Sequence, residues 1–281
     1  MRAYVVADVF TDVPLQGNPV AVFTDAEGLS TDVMQSAARE LNLSETVFVL
    51  PPDDDARADA HIRIFTPALE LPFAGHPVLG TAFVLGEALG TDTVRLQTGN
   101  GVVPVALERR DGAIVSGEMD QPLPTWNAYD RGDELLAAVG VSRSELPVEV
   151  YDNGPRHAYV RLADEAAVAA LSPDLGALSR LGAVGVSCFA VGEGHVKTRM
   201  FGPGLGVAED PATGSAAGPL AVHLARHGVI GFGERVEIHQ GAEVGRPSML
   251  YARAEGSADR LERVAVGGVA VVVARGEFRL D

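Results

Sequence analysis

The sequence predicts an α+β protein of two similar lobes with mostly antiparallel sheets. Short β-like runs outnumber helical patterns and follow one another through short turns, whereas a βαβ protein would alternate strands and helices. Residues 63–80 recur at 199–218, with an offset of 136 residues at first and 139 at the glycine turns. No glycine trio follows the first β-like run, which argues against a dinucleotide-binding fold. An internal repeat of this length indicates two lobes of about 140 residues each.

The repeat is clearest at two glycine turns. The segment FAGHPVLG, residues 73–80, looks like a degenerate copy of EDPATGSAAG, residues 209–218. The second copy carries three extra residues, and these fall around Glu209 and Asp210. Only one of the two similar turns therefore has acidic groups directly before it, and we interpret this asymmetry as a sign of chemistry.

The β-like runs of the first lobe are interrupted by two helical patterns. Ser30 is a predicted N-cap, Asp32 favours the first turn, and apolar residues follow at helical spacing. At the first glycine turn, His76 and Pro77 fit an N-cap and a first helical residue. Residues 78–89 are apolar on nearly every side, so we expect a buried helix inside a curled sheet. The β-like runs of this lobe are 3–10, 20–23, 46–50, 61–65 and 102–107.

Two prolines within residues 121–124 mark the predicted boundary between the lobes. We expect the N-terminal lobe to span residues 1–120, completed by the β-rich run at about 264–281, and the C-terminal lobe to span 121–263. The active site is expected in the cleft between them. The second lobe is predicted to hold helices at 133–139 and 216–227, strands near 148–151, 158–162, 185–191, 196–201, 235–238 and 248–254, and a final β run at 264–274.

Composition narrows the function class. The 47% hydrophobic content fits a globular protein with an ample core. No run of apolar residues is long enough for a membrane span, and Asp8 and Asp12 interrupt the N-terminus, so we expect neither span nor signal peptide and a cytoplasmic location. A formal charge of −16 and a pI near 4.8 argue against nucleic acid as a partner.

The two glycine turns are candidate anion sites. Each opens a predicted helix, so the backbone amides of Gly75, His76, Gly214 and Ser215 would point outward at the positive end of a helix dipole. Such a pair of helix starts could hold a substrate carboxylate, although either turn alone could merely cap its helix. His76 could donate to substrate or cap the helix, and an imidazole at this end of a helix tends to stay neutral.

Glu45 is the strongest candidate acid or base. It follows a predicted helix end and begins an apolar run, where a strand should enter the core. Burial raises the pKa of a carboxyl group towards the range in which it gives and takes protons at cellular pH. The alternative is a solvated residue at the strand edge, or a cap. Asp210 could hold a substrate ammonium group or accept amide hydrogen bonds, or serve as an ordinary turn aspartate.

Other reactive residue types fit structural roles better. His223 and His227 have a spacing used by zinc ligands, but no glutamate follows His223 and no third ligand is obvious nearby, so no metal site is predicted. Cys188, the one cysteine, lies in a strand-like run and is interpreted as a small core residue. Arg246 could bind a carboxylate or form a surface ion pair.

Taken together, these segments closely resemble the PhzF family of phenazine biosynthesis, whose members share the fold of diaminopimelate epimerase. The resemblance covers nearly the whole chain, and several motifs occur in the right order. The matching segments are DVF at 8–10, GNP at 17–19, NLSET at 42–46, FAGHP at 73–77, DPATGSA at 210–216, and QG at 240–241 with RPS at 246–248.

The resemblance implies two lobes, each a β-roll around a central helix, an active site between them, a homodimer and no cofactor. In the epimerases two opposed cysteines move a proton, but the matching positions here are Ala74 and Pro211 or Ala212, which excludes two-thiol catalysis. In the PhzF branch the matching glutamate, Glu45, moves a proton between ring carbons. The residues implied to bind or orient the substrate are Gly75, His76, Asp210, Thr213, Gly214 and Ser215.

The sequence therefore predicts a cofactor-independent isomerase of a small carboxylated, amino-bearing molecule such as trans-2,3-dihydro-3-hydroxyanthranilate. Glu45 is the expected proton shuttle. One alternative is an epimerase or racemase of an amino-acid derivative that uses Glu45 and Asp210 as two proton carriers. Another is a non-catalytic protein that binds a metabolite in the same cleft.

Overall fold

The computed structural model describes residues 1–54 and 56–280 of the chain. They form a mixed α/β fold with many strands and few helices, which confirms the coarse α+β prediction. Two compact units are present. Unit 1 comprises residues 1–120 with the segment that begins at Val266, and unit 2 comprises Gln121–Ala265. None of the described helices has the length and apolar character that crossing a bilayer requires.

The elements are numbered in chain order. The strands are β1 (Arg2–Val9), β2 (Asn18–Phe23), β3 (Glu45–Leu50), β4 (Ala60–Phe65), β5 (Glu70–Leu71), β6 (Thr93–Thr98), β7 (Gly101–Arg110), β8 (Ala113–Asp120), β9 (Thr125–Ala128), β10 (Glu149–Asp152), β11 (Arg156–Arg161), β12 (Gly185–Val191), β13 (Val196–Gly202), β14 (Val207–Asp210), β15 (Arg235–Gln240), β16 (Ser248–Gly256), β17 (Leu261–Gly268) and β18 (Ala270–Phe278). The α-helices are α1 (Thr31–Leu41), α2 (Gly75–Leu89), α3 (Gly132–Val139), α4 (Glu165–Ala169), α5 (Leu175–Ser179) and α6 (Gly214–Arg226), and short 3₁₀ turns occur at Pro203–Leu205 and Ala242–Val244.

Unit 1 is built around the buried helix α2. Antiparallel pairs join β18 to β1, β1 to β2, β3 to β4, β6 to β7 and β7 to β8, while β2–β3 and β4–β6 are parallel. The helix contacts β1, β2, β3, β6, β7, β8 and β18. Its residues from Gly75 to Val84 are all buried. A helix with so little solvent-facing surface must be apolar on every side, as its sequence is.

Unit 2 repeats the pairing order of unit 1. Antiparallel pairs join β9 to β10, β10 to β11, β12 to β13 and β15 to β16, and β11–β12 and β13–β15 are parallel. The buried helix here is α6, which contacts β11 and β16. The same sequence of antiparallel and parallel pairs therefore accompanies both copies of the repeat seen in the sequence.

Helix α1 shows how local signals set an element. The Ser30 Oγ accepts a hydrogen bond from the Val33 amide at 3.3 Å, which confirms Ser30 as the N-cap. The buried face consists of Met34, Ala37 and Ala38, three residues of the apolar stripe. The helix ends at Asn42, whose left-handed backbone has a φ of 52°.

Some local predictions were wrong. Helix α2 begins at Gly75 with Ala74 as its N-cap, so His76 is its second residue and does not cap it. Pro77 is the third residue, where the amide hydrogen that it lacks would have no partner within the helix. The final β run is two strands, β17 and β18. Strands β5, β6, β8, β9 and β14 were missed.

Candidate active site

The carboxylate of Glu45 is largely withdrawn from water. Glu45 is the first residue of β3 and pairs in parallel with Val20 of β2. Only 12% of its side chain is exposed. Because α1 ends at Leu41, the chain enters the core at the start of β3, and the Glu45 carboxylate is buried there. The predicted alternative of a solvated strand edge does not fit this burial.

His76 faces the Glu45 carboxylate. The Nε2 atom of His76 lies 3.3 Å from Oε2 of Glu45, and the His76 side chain is 3% exposed. His76 takes this position as the second residue of α2, whose N-terminus is buried in unit 1. The structure therefore brings together two residues that the sequence places 31 positions apart.

The His76 imidazole is neutral. Burial lowers the pKa of His76 to about 3, and the positive end of the α2 dipole also disfavours a charged ring. The side-chain nitrogen of Asn18 lies 3.2 Å from His76 Nδ1. The ring also donates a hydrogen bond to the Pro19 carbonyl, which acts against burial and raises the His76 pKa. A neutral ring thus lies beside Glu45 and adds no fixed positive charge.

The role of Asn18 was missed by the sequence analysis, which found it only within the GNP segment. Asn18 is fully buried at the start of β2. The preceding residue, Gly17, has a φ of +65°, and a methyl group there would lie 2.3 Å from the Val9 carbonyl oxygen. Glycine at this position therefore lets the chain turn closely against β1 and present Asn18 to His76.

Asp210 and Thr213 lie in a buried hydrogen-bond network of unit 2. Asp210 ends β14 and is 4% exposed. The Thr213 hydroxyl donates to Asp210 Oδ2 at 2.6 Å, and Gln240 Nε2 donates to the Asp210 carbonyl at 2.7 Å. The Thr213 amide donates to Gln240 Oε1 at 3.3 Å. Gln240 thus fixes the turn that holds Asp210. No role for this residue was predicted from the sequence.

Helix α6 begins at Gly214 and Ser215, as the second glycine turn predicted, and side chains fix its first carbonyl groups. The carbonyl of Gly214 accepts from Gln121 at 2.8 Å, and that of Ala216 accepts from Tyr159 at 2.7 Å. The Ser215 carbonyl cannot pair with residue 219, because Pro219 has no amide hydrogen. Asn153 Nδ2 donates to it instead, at 3.0 Å.

The structure gives His223 and His227 a third neighbour that the sequence analysis missed. Oε2 of Glu149, on β10, lies 3.2 Å from His223 Nδ1 and 3.1 Å from His227 Nε2. The stated ground for predicting no metal, the lack of a third ligand, was therefore wrong. Arg226 Nη1 lies 2.7 Å from the same oxygen, so a guanidinium already neutralises this carboxylate, and its charge opposes a metal cation there.

Cys188 is buried in β12, as the sequence predicted. Burial raises the pKa of its thiol to about 12. The thiolate that a nucleophilic cysteine needs is therefore scarce at neutral pH. This agrees with the interpretation of Cys188 as a core residue.

Acid should destabilise the fold through its buried histidines. Burial lowers the pKa of His76 to about 3 and those of His157 and His223 to about 4. In the unfolded chain a histidine protonates near pH 6.5. The folded state keeps these rings neutral, so their contribution to stability is complete above that pH and is lost as the pH falls towards 4. Each ring lowers the free energy of unfolding by about 1.4 kcal/mol per pH unit in this interval.

Urea unfolding at about pH 7 and about pH 5 checks this expectation. We expect a lower midpoint at pH 5, and a smaller difference between the two pH values for His157→Gln, which removes one of the titrating rings. Equal midpoints at both pH values would contradict the burial of neutral histidines.

Comparisons with known proteins extend over the whole chain. A family model described as phenazine biosynthesis-like protein, PhzC-PhzF, matches residues 7–276. The protein named trans-2,3-dihydro-3-hydroxyanthranilate isomerase from Pseudomonas aeruginosa is 55% identical over 280 residues, with 100% of both chains covered. Its namesake from Pseudomonas chlororaphis is 54% identical with the same coverage. A solved structure described as a predicted epimerase from Pseudomonas aeruginosa is 35% identical, covers 99% of both chains and has a TM-score of 0.83.

Proposed function

The chain belongs to the phenazine biosynthesis-like family PhzC-PhzF and is an isomerase, and on that premise we propose that its substrate is trans-2,3-dihydro-3-hydroxyanthranilate. The buried contact between Glu45 and His76 is the observation that carries the proposal. A carboxylate withdrawn from water, with a neutral polar ring beside one oxygen, is suited to general acid–base catalysis.

In the proposed reaction Glu45 carries a proton between two carbons of the substrate ring. The ionised carboxylate takes the proton from one carbon and becomes a carboxylic acid. It then returns the proton to another carbon and is ionised again. The enol that results tautomerises to a ketone, so the reaction rearranges hydrogen without a net change in composition or redox state.

His76 has two tasks in this scheme. Its ring positions the Glu45 carboxylate before the first transfer, and it holds the same place after the second. Because the His76 pKa is lowered to about 3 by burial, the ring keeps the same charge throughout. It therefore acts as a fixed neutral contact and does not compete with Glu45 for the proton.

The polar groups of unit 2 suit the substituents of such a substrate. The Asp210 carboxylate is a suitable partner for the amino group, and the amides of Gly214 and Ser215 with the Ser215 hydroxyl are suitable for the carboxylate. We propose that Gly75 contributes a further amide. Thr213 serves mainly to hold Asp210, through its 2.6 Å hydrogen bond.

The proposed function is tested by incubating the pure protein with dihydro-hydroxyanthranilate in heavy water and following the product by NMR. We expect turnover and incorporation of solvent deuterium at one ring carbon. The same protein with a panel of free amino acids should show no exchange at the α-carbon. A protein that exchanges amino acids but leaves the dihydro compound unchanged would overturn the substrate assignment.

The epimerase alternative is distinguished by product stereochemistry in the same experiment. An epimerase would invert one carbon and needs two opposed proton carriers. The Asp210 carboxylate accepts a short hydrogen bond from Thr213, which holds it in place and favours a binding role. The non-catalytic alternative is dropped, because the full-length relatives are named as isomerases.

We also propose the finer architecture that the resemblance implies. The equal order of strand pairs in the two units supports pseudo-symmetric lobes, each a β-roll around its buried helix. A homodimer and a cytoplasmic location remain predictions. Light scattering coupled to gel filtration should give a mass near twice that of the 29.3 kDa chain, and a monomer mass would contradict the dimer.

A further inference from the structure

His157 contacts the hydroxyl of Ser215 inside unit 2. It lies on β11, is 1% exposed, and its Nε2 atom is 3.1 Å from Ser215 Oγ. Among the residues that the structure describes, no other side chain lies within hydrogen-bond distance of this hydroxyl. His157 has no role that the sequence predicts, because 58 residues separate it from Ser215.

Both polar groups of Ser215 are held by the same strand pair. The Ser215 carbonyl accepts from Asn153, just after β10, and the hydroxyl meets His157 at the start of β11. Strands β10 and β11 are antiparallel neighbours, with Asp152 opposite Arg156. The orientation of Ser215 at the start of α6 is therefore set by this hairpin as well as by the helix.

The surroundings of the His157 ring determine which nitrogen carries its proton. Burial lowers the pKa of His157 to about 4, so the ring is neutral and carries one proton. No described residue offers a hydrogen-bond partner to Nδ1. A methyl group on Gly185 would lie 2.6 Å from Nδ1, so this nitrogen faces the Cα of a glycine. A buried donor without an acceptor is rarer than an acceptor without a donor, which favours the proton on Nε2.

We propose that His157 is a positioning residue that makes the Ser215 hydroxyl a donor to the substrate carboxylate. Its Nε2 proton donates to a lone pair of Ser215 Oγ. The hydroxyl hydrogen is then free to turn to an anion at the α6 N-terminus, where the Gly214 and Ser215 amides also point. This inference rests on the proposed function for its ligand, because it extends the anion-binding role assigned there to Ser215.

The tautomer is tested without substrate. Two-bond ¹H–¹⁵N spectra of the protein labelled in histidine nitrogen distinguish the two neutral forms, and the signals of His157 are assigned by their loss in His157→Gln. We expect the proton on Nε2 at neutral pH. A proton on Nδ1, or a charged ring, would overturn the inference, because Ser215 would then be the donor to His157 or the ring would be hydrated.

The effect on substrate is tested with a pair of variants. His157→Leu removes the donor, whereas His157→Gln keeps an amide donor of similar reach. We expect the KM for dihydro-hydroxyanthranilate to rise about tenfold in His157→Leu, with kcat within about threefold, and to recover in His157→Gln. Equal losses in both variants, or a loss confined to kcat, would point to a structural role and overturn the inference.

A double-mutant cycle makes the test specific to Ser215. If His157 acts through the Ser215 hydroxyl, then His157→Leu should add little to Ser215→Ala, whereas independent effects would multiply. His61→Leu is the matched control, since His61 is a partly buried histidine of unit 1 beside one carboxylate, Asp53, at 3.9 Å. It should keep the wild-type KM.

Urea unfolding distinguishes a variant that has lost stability from one that has lost function. Urea midpoints identify a variant that fails to fold, and Gly185→Ala then replaces it, because the added methyl group displaces the His157 ring without removing it. A wild-type protein with no turnover of the dihydro compound would overturn the proposed function. The tautomer measurement would still decide the positioning of Ser215.

Discussion

Replacing Glu45 with glutamine is expected to lower kcat for isomerisation by about 10³-fold and to stop deuterium incorporation from heavy water. The amide has nearly the shape of the carboxylate and fits beside His76, but it cannot take a proton from carbon. The KM should change little, because the substrate carboxylate and amino group are assigned to other residues. Initial rates and NMR exchange on the same preparation give both numbers.

Glu40→Gln provides the matched control for this substitution. Glu40 is an exposed residue near the end of α1, so the same chemical change there should leave the rate unaltered. Comparable urea midpoints for the two variants would show that the fold is intact. A Glu45→Gln protein that exchanged deuterium at the wild-type rate would remove Glu45 from the mechanism.

Gly80→Leu is expected to destabilise the protein by about 3 kcal/mol or more. A methyl group at this position of α2 would lie 2.7 Å from Val20 Cγ1 and 2.8 Å from Val9 Cγ2. The helix therefore approaches β1 and β2 more closely than any side chain allows. Because β2 begins at Asn18 and pairs with the start of β3, movement of the helix would also disturb the Glu45–His76 contact.

Glu87→Leu adds the same side chain on the exposed face of the same helix, where Glu87 has 59% of its side chain accessible. We expect its urea midpoint to stay near that of the wild type, with a change of about 0.5 kcal/mol or less. If the two variants unfold at the same urea concentration, then close packing at Gly80 does not limit the stability of unit 1.

The sequence predicted elements whose signals are local. Ser30 marks the start of α1 because its side chain accepts from an amide three residues later, and the buried face of that helix follows from spacing alone. Strand β6 was missed for the opposite reason. Its residue Gln97 pairs in parallel with His61 of β4, and a partner so distant in sequence leaves no local mark.

At the site, too, local signals could be read from the sequence and long-range contacts could not. Glu45 could be proposed from a charged residue at the start of an apolar run and from a resemblance. The contacts that orient the site could not, since Asn18 is 58 residues from His76 and Gln240 is 30 residues from Asp210. His76 was assigned to the wrong helix position because histidine followed by proline satisfies the local rule for a helix start, whereas Ala74 caps the helix without a side-chain bond.

Pro219 in α6 couples the choice of residue at position 153 to the residue at position 219. Pro219 leaves the Ser215 carbonyl to Asn153, so the two residues form one solution to a single backbone requirement. A relative with another residue at 219 regains the amide hydrogen and loses the need for asparagine at 153. The cost of a substitution at 153 should therefore depend on what occupies 219, which couples the two sites energetically.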